Sequence, residues 1–190
     1  MIRGIKYIKT VLTDYKVGAI TPSSRFVIRR IQRELGAGRK YIVEYGAGDG
    51  VVTRELLRHL PVGGKVVAIE LNPQFLAELR MIKDPRLIVV PGDVAILSRT
   101  LKKIGLPRID AVLSSIPFTF FPPRIRERVA RDTARALAPD GIFLVYQYSL
   151  LMRSLLKKHF PHLDIQLEPR NFPPMFFMAA HKNKKLRMGA

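Results

Sequence analysis

The sequence predicts an α/β fold with a mostly parallel sheet, and two observations lead to this prediction. Short runs rich in β-branched residues alternate along the chain with segments of helical periodicity, which is typical of a sheet built from strand–helix–strand units. A glycine-rich segment directly follows the first run in the core and opens a helix. Ligands of such sheets bind beyond the carboxyl ends of the strands, so we expect the functional residues in the loops that follow the strands.

The predicted elements follow one another in a regular order. Strands are expected at residues 41–45, 65–70, 87–90, 109–114, 141–146 and 176–180. Helices are expected between or after them at residues 51–60, 74–81, 94–104, 123–137 and 150–159. Two further helices precede the first strand, at residues 2–15 and from Phe26 to Leu35, where Pro22 and its neighbours supply a helix start.

The length of 190 residues fits a single domain. We divide it into a basic helical extension at residues 1–38, a core at 39–181 and a basic tail at 182–190. No apolar run approaches the roughly 20 residues of a membrane span, and no signal-peptide core is present at the N-terminus. We therefore expect a cytoplasmic monomer, and the scarcity of Asn, Gln and Cys suits a thermophile.

The charge of the chain predicts an anionic partner. Lys and Arg number 33 against 15 Asp and Glu, a net charge of +18, and residues 1–40 alone carry +8. Nucleic acid, an acidic membrane surface or a phosphorylated substrate would each match this excess. The absence of cysteine excludes disulfides, cysteine-ligated zinc and a thiol nucleophile, and no spacing typical of metal ligands occurs.

The glycine-rich segment from Glu44 to Gly50, EYGAGDG, is the first candidate binding site. Its glycines permit a sharp turn and a close approach of a ligand to the backbone. Its third glycine comes one residue earlier than the dinucleotide fingerprint G-x-G-x-x-G requires. The spacing instead resembles motif I of class I S-adenosylmethionine-dependent methyltransferases. This resemblance implies a doubly wound, Rossmann-like methyltransferase fold with a seven-stranded sheet, and S-adenosyl-L-methionine as cofactor.

Acidic residues after the next two strands support this cofactor. Glu70 ends the second strand, where a carboxylate can accept hydrogen bonds from two ribose hydroxyls. Asp93 follows the third strand, and the resemblance implies that it contacts the adenine amino group while Val94 packs on the ring. The candidate cofactor-binding residues are Glu44, Gly46, Ala47, Gly48, Gly50, Glu70, Leu71, Gly92, Asp93, Val94 and Ser114.

The segment after the fourth strand bears on the methyl acceptor. Methyltransferases acting on exocyclic base amines, including the ribosomal RNA adenine dimethylases, often carry Asn or Asp there, followed by proline and an aromatic residue. This chain keeps Pro117 and Phe118 but has Ser114, whose hydroxyl has less reach than an amide. RNA adenine N6-methylation is therefore one alternative for the function of this protein. A cofactor-binding module without catalysis is a further alternative.

Two outer segments resemble the soluble bacterial phospholipid N-methyltransferases, which convert phosphatidylethanolamine to phosphatidylcholine. Residues 17–25, VGAITPSSR, are similar to the family's G-A-x-x-P-S-S segment, and residues 170–174, RNFPP, to its R-N-x-P-P segment. The resemblance spans nearly the whole chain and implies N-methylation of phosphatidylethanolamine or its methylated derivatives at the membrane surface. The candidate catalytic residues are Tyr15, Tyr146 and Asn171, and the candidate substrate-binding residues are Ser23, Arg25, Phe118 and Arg170.

The predicted helix at residues 2–15 suits an anionic membrane surface. Ile5, Ile8 and Leu12 lie on one face, and Lys6 and Lys9 lie opposite or beside it. Such a helix can lie in the headgroup plane, and each basic residue contributes on the order of 1 kcal/mol there. We therefore expect peripheral membrane association. The alternative is that the apolar face packs on the core of the protein as a lid.

Overall fold

A central sheet of seven strands organises the protein, for which a computed structural model describes residues 24–92 and 104–183. The strands are β1 Tyr41–Tyr45, β2 Lys65–Glu70, β3 Leu87–Pro91, β4 Ala111–Ser114, β5 Ile142–Gln147, β6 His162–Glu168 and β7 Met175–His181. Their order is β3-β2-β1-β4-β5-β7-β6. The first five are parallel, and β7 runs antiparallel to both of its neighbours. The predicted α/β class and mostly parallel seven-stranded sheet are confirmed.

Helices cover both faces of this sheet. In the described part of the chain they are α1 Arg25–Leu35, α2 Val51–His59, α3 Pro73–Met81, α4 Pro123–Ala136 and α5 Arg153–His159, with a 3-10 turn at Phe118–Phe120. Successive strand residues face opposite sides. Ile42 therefore packs with α1 and α2, whereas Val43 and Tyr45 pack with α4 and α5. Burial of both faces explains why the parallel strands have nearly continuous apolar sequences.

Helix α1 forms where the sequence predicts it. The side chain of Ser24 accepts a hydrogen bond from the Val27 backbone N–H at 3.4 Å, which caps the first turn. Val27, Ile31 and Leu35 form a buried stripe at helical spacing, and the helix ends at Gly36 with a φ of 66°. Helix α1 contacts β5 and β6, so it lies over the side of the sheet that ends in β6.

The C-terminal region differs from the expectation in two ways. Strand β6 forms where the sequence pattern does not single out a strand, and it occupies the sheet edge, so that β7 is an interior strand. Its first five residues are all half-buried and polar residues interrupt the apolar ones, which explains its weak signal. The helix expected at residues 150–159 begins only at Arg153, so Leu150 and Leu151 belong to the preceding loop.

Several predictions lie outside the described residues and stay predictions. They comprise the amphipathic helix at 2–15, nearly all of the helix at 94–104, most of the basic tail, and the candidate site residues Tyr15, Ser23, Asp93 and Val94. No helix in residues 24–92 and 104–183 combines the length and the apolar character needed to span a bilayer.

Candidate functional site

The glycine loop crosses the carboxyl end of the sheet between β1 and α2. Its first two glycines have positive φ angles, 72° at Gly46 and 57° at Gly48, which L side chains rarely adopt. A Cβ atom at Gly46 would lie 3.0 Å from Cγ1 of Ile116, whereas one at Gly48 would meet nothing within 4 Å. Gly46 is therefore confined by the loop after β4, and the backbone at Gly48 borders open space that a ligand could fill.

The carboxylate of Glu70 is fixed beside this loop. Its Oε2 accepts a hydrogen bond from the Gly48 N–H at 2.9 Å. Its Oε1 accepts hydrogen bonds from the N–H groups of Leu71 at 2.7 Å and Asn72 at 2.8 Å. The backbone oxygen of Glu70 also accepts the Gly92 N–H at 2.9 Å. An oriented acceptor next to open space fits a ligand that presents neighbouring hydroxyl groups.

Glu44 is the second acidic residue at the loop, and it is buried. The hydroxyl of Thr53, on α2, donates a hydrogen bond to its Oε2 at 2.6 Å. Burial raises the pKa of Glu44 from an ordinary 4.5 to about 8, and the nearby carboxylates of Glu70 and Asp49 add to the shift. Glu44 therefore retains its proton near neutral pH, and a cationic ligand group nearby would favour its ionisation.

We predict that Glu44 makes the stability of the free protein depend on pH. The folded protein keeps a proton that the unfolded chain loses, so the free energy of unfolding should fall as the pH rises from 4.5 to about 8. Glu44→Gln should flatten this fall, by an amount of up to about 5 kcal/mol. Urea unfolding at four pH values across the interval would measure it. Parallel pH profiles for the two proteins would contradict the prediction.

The loop after β4 touches the glycine loop through Ser115. Ser115 is exposed, and its hydroxyl donates to the Gly46 carbonyl at 2.9 Å. Ser114, the residue proposed from the sequence, is buried, and its oxygen lies 3.4 Å from the Ile116 N–H, which donates to it. Ser115 is therefore a site residue that sequence reasoning missed, although it lies within the same SSIPF segment.

The predicted catalytic residue Tyr146 lies behind this contact. It is buried, and its ring stacks on Phe177 with centroids 5.7 Å apart. Burial and the nearby Glu44 carboxylate raise its pKa, while a hydrogen bond with Ser115 opposes the rise. The Tyr146 hydroxyl therefore stays protonated at neutral pH and is connected through Ser115 to the glycine loop.

The sequence-based expectation was that Phe118 contacts the substrate. The structure instead places this residue in the core. Its side chain is fully buried and packs against Phe121, with ring centroids 5.8 Å apart. The 3-10 turn that buries Phe118 turns Phe120 outwards, where 41% of that residue is exposed. Phe120 is therefore the aromatic residue that this loop presents to its surroundings.

Arg25, at the end of the first outer motif segment, and Arg170, at the start of the second, both contact Phe26 at the start of α1. The guanidinium carbons of Arg25 and Arg170 lie 5.0 Å and 4.8 Å from the ring centroid of Phe26. Arg170 also donates to Glu168 from Nε at 2.7 Å, and Arg30 donates to it from Nη2 at 3.1 Å. These hydrogen bonds lower the pKa of Glu168 to about 2. Glu168, which sequence reasoning did not propose, thus ties α1 to the turn between β6 and β7.

Asn171 shapes that turn. It is buried, and its Nδ2 donates to the Pro173 carbonyl at 2.7 Å across a cis Phe172–Pro173 bond. This contact leaves Phe172 projecting outwards, 88% exposed. Strands β5 and β6 point the same way, because β7 is antiparallel to both. The structure therefore places the turn after β6, which carries Arg170 and Asn171, at the carboxyl ends of the strands, as it does the glycine loop.

A cavity of about 460 Å³ lies elsewhere, between α1 and α2. Apolar side chains such as Ile31, Ile42 and Leu56 line it, and Arg39 and His59 are also part of its wall. None of the glycine-loop residues or Glu70 is part of its wall, so it is separate from the candidate cofactor site. The described residues hold no group of three or more His, Asp or Glu arranged to bind a metal.

Comparisons with known proteins show the family to which the chain belongs. Residues 42–141 match the family described as Methyltransferase domain. An ornithine lipid N-methyltransferase from Singulisphaera acidiphila is 28% identical over 162 residues, which cover 83% of this chain and 84% of that protein. An rRNA methyltransferase from Streptomyces thermotolerans is 38% identical over 80 residues, which cover 40% of this chain and 23% of that protein.

A solved structure has the same fold. The 1,6-didemethyltoxoflavin-N1-methyltransferase of Burkholderia thailandensis, solved with its substrate and S-adenosylhomocysteine, superposes with a TM-score of 0.70. The two are 19% identical, and the match covers 96% of this chain and 88% of that one. The strand order is thus that of the class I methyltransferase fold. The chain belongs to the methyltransferase domain family, and the predicted S-adenosyl-L-methionine cofactor is confirmed.

Proposed function

We propose that this protein is a lipid N-methyltransferase acting on an amine-bearing headgroup. One observation carries the proposal: residues 24–26 and the turn around Arg170, which lie far apart in the chain, meet at the edge that holds the glycine loop. Arg25 and Arg170 belong to the two segments that resemble phospholipid N-methyltransferases. The similarity to an ornithine lipid N-methyltransferase over 84% of that protein supports the same class of substrate.

The cofactor fits the residues around the glycine loop. Glu70 offers two oriented carboxylate oxygens for the ribose, and the open side of Gly48 leaves room for the cofactor. Glu44 lies next to the loop, and its ionised form would complement the positive charge of the methionine moiety. Leu71 and Gly92 follow β2 and β3, and we expect the adenine to bind beside them. Asp93 and Val94, outside the described residues, are expected to contact it as well. When bound, S-adenosylmethionine supplies an activated methyl group on a sulfonium.

The residues of the chain then have to position a neutral amine. An ammonium ion has no lone pair, so a partly dehydrated site that lowers the amine pKa favours the reactive form. In-line attack requires the amine nitrogen and the methyl carbon to approach to about 3–3.5 Å. We assign orientation of the amine to the protonated hydroxyl of Tyr146 and to the turn shaped by Asn171. Tyr15 remains a predicted contributor.

The anionic group of the substrate fits the two arginines at Phe26. Arg170 already pairs with Glu168, whereas the exposed guanidinium of Arg25 packs on the Phe26 ring. We therefore assign the main contact with the anion to Arg25, helped by Ser23, and a supporting role to Arg170. Phosphatidylethanolamine, our preferred substrate, carries a phosphate beside its amine. Ornithine lipid offers a carboxylate in its place.

RNA adenine methylation is the second candidate, because one relative is an rRNA methyltransferase. That match covers 23% of the relative and falls short of half of this chain. The buried Ser114 stands where such enzymes often have an amide. The observations therefore favour the lipid over RNA.

We predict that methyl label from S-adenosylmethionine enters lipid in preference to RNA. The purified protein would be incubated with vesicles of phosphatidylcholine containing phosphatidylethanolamine or ornithine lipid, with vesicles of phosphatidylcholine alone, and with ribosomal RNA. Label should enter an amine-containing lipid, and pure phosphatidylcholine vesicles serve as the control without a primary amine. Faster transfer to RNA than to either amine lipid would reverse the assignment.

A further inference from the structure

Exposed apolar side chains are concentrated at one edge of the sheet. Seven large apolar residues are exposed in the described part of the chain, and four of them lie on loops at the carboxyl edge. We call these four the apolar crest: Phe120 at 41% exposure, Leu150 at 37%, Leu151 at 38% and Phe172 at 88%. A grouping of exposed apolar residues on a folded protein marks an interaction surface.

The topology brings these residues together. Phe120 follows β4, Leu150 and Leu151 follow β5, and Phe172 follows β6. Strands β4 and β5 are parallel, and β6 points the same way because β7 is antiparallel to both β5 and β6. All three loops therefore project from the edge that carries the glycine loop.

The same loops carry positive charge and no negative charge. Residues 115–124, 147–153 and 169–175 contain three arginines and no Asp or Glu. Arg124 and Arg153 stand at the starts of α4 and α5, whereas Arg170, two residues before Phe172, pairs with Glu168. All three arginines are exposed. Apolar side chains next to cations are suited to a bilayer with anionic headgroups. The headgroups attract the arginines, and the apolar crest can insert at the boundary between headgroups and acyl chains.

We propose that the apolar crest is a membrane-docking surface, which inserts into an anionic bilayer and turns the candidate active site towards the lipid. This inference rests on the proposed lipid function and adds the surface through which the substrate arrives. With the edge facing the bilayer, a headgroup amine reaches the site while its acyl chains stay in the membrane. The predicted helix at residues 2–15 would supply a separate attachment.

A pair of matched double variants tests the docking surface. Phe120→Ser with Phe172→Ser removes the two aromatic side chains of the crest. Val62→Ser with Met81→Ser removes two side chains that are 95% and 74% exposed, in the turn before β2 and at the end of α3, away from the crest. All four side chains are exposed, and circular dichroism and thermal melts would verify the folding of both variants.

The readout is co-sedimentation with vesicles of phosphatidylcholine and phosphatidylglycerol, which contain no methyl acceptor. The crest variant should partition about tenfold more weakly than the wild type, whereas the control variant should behave like the wild type. Arg124→Gln with Arg153→Gln should weaken binding and reduce its dependence on salt. Equal binding by the crest variant and the wild type, or an equal loss in the control, would overturn the proposal. So would wild-type binding to RNA without binding to these vesicles.

This assay separates the inference from the proposed function. Vesicles without an amine lipid report attachment alone, and the label-transfer experiment reports chemistry. If the wild type methylates lipid and the crest variant still binds the vesicles as the wild type does, only the docking surface is refuted. Normal sedimentation of the wild type with crest-dependent loss, but no transfer to any lipid, would refute the proposed function only.

Discussion

Glu70→Gln is expected to weaken the binding of S-adenosylmethionine by about a hundredfold. The Glu70 carboxylate is held at the glycine loop by three backbone N–H groups, and its charge strengthens hydrogen bonds to the ribose hydroxyls that we assign to it. Loss of such charge-assisted bonds costs about 3 kcal/mol, which corresponds to that change in the dissociation constant. Isothermal titration calorimetry would measure it directly.

Glu78→Gln is the matched control for this variant, because it removes a carboxylate from α3, outside the loop. Its affinity for the cofactor should equal that of the wild type. A melting temperature measured for each protein separates loss of binding from loss of folding. Unchanged affinity in a folded Glu70→Gln protein would remove Glu70 from the cofactor site.

Glu168→Ala is expected to lower the free energy of unfolding by about 3 kcal/mol. The side chain is fully buried and pairs with Arg30 and Arg170, so its removal leaves two cations without their shared partner. The same change should also weaken the attachment to α1 of the turn that contains Asn171. Urea unfolding at neutral pH would measure the loss.

The pH dependence of this loss provides a second check. The folded pKa of Glu168, about 2, lies below the ordinary value of 4.5, so its stabilisation is complete above pH 4.5 and fades as the pH falls towards 2. The difference between wild type and variant should shrink over that interval. Glu127→Ala is the control, since Glu127 pairs with Lys158 at the surface, where such pairs contribute about 1 kcal/mol or less. Equal losses in both variants would contradict the special role of Glu168.

The sequence predicts the inner strands well because their environment is uniform. Strands β1, β2, β4 and β5 lie inside the sheet and are almost entirely buried, and the edge strand β3 is followed directly by Gly92. These features are visible in the chain itself. Strand β6 lies at the sheet edge with Leu167 exposed, so neither a continuous apolar run nor a flanking motif marks it.

The site is less predictable where it depends on contacts between distant segments. The choice between Ser114 and Ser115, or between Phe118 and Phe120, depends on which side chain the loop after β4 turns outwards, and that is decided by packing against Phe121 and Gly46. The role of Glu168 depends on Arg30, which lies 138 residues earlier in the chain. Local sequence patterns do not indicate contacts between segments that are far apart in the chain.

Mass spectrometry of the product shows whether a methyl group passes to the nitrogen of a lipid headgroup. Phosphatidylethanolamine and ornithine lipid vesicles would be incubated with S-adenosylmethionine and either the wild type or Glu70→Gln, and the extracted lipids fragmented. We predict that added methyl groups appear on the headgroup fragment of one of these lipids, with far less product from the variant. Unmodified headgroups of both lipids after incubation with a wild type that binds the cofactor would contradict the claim.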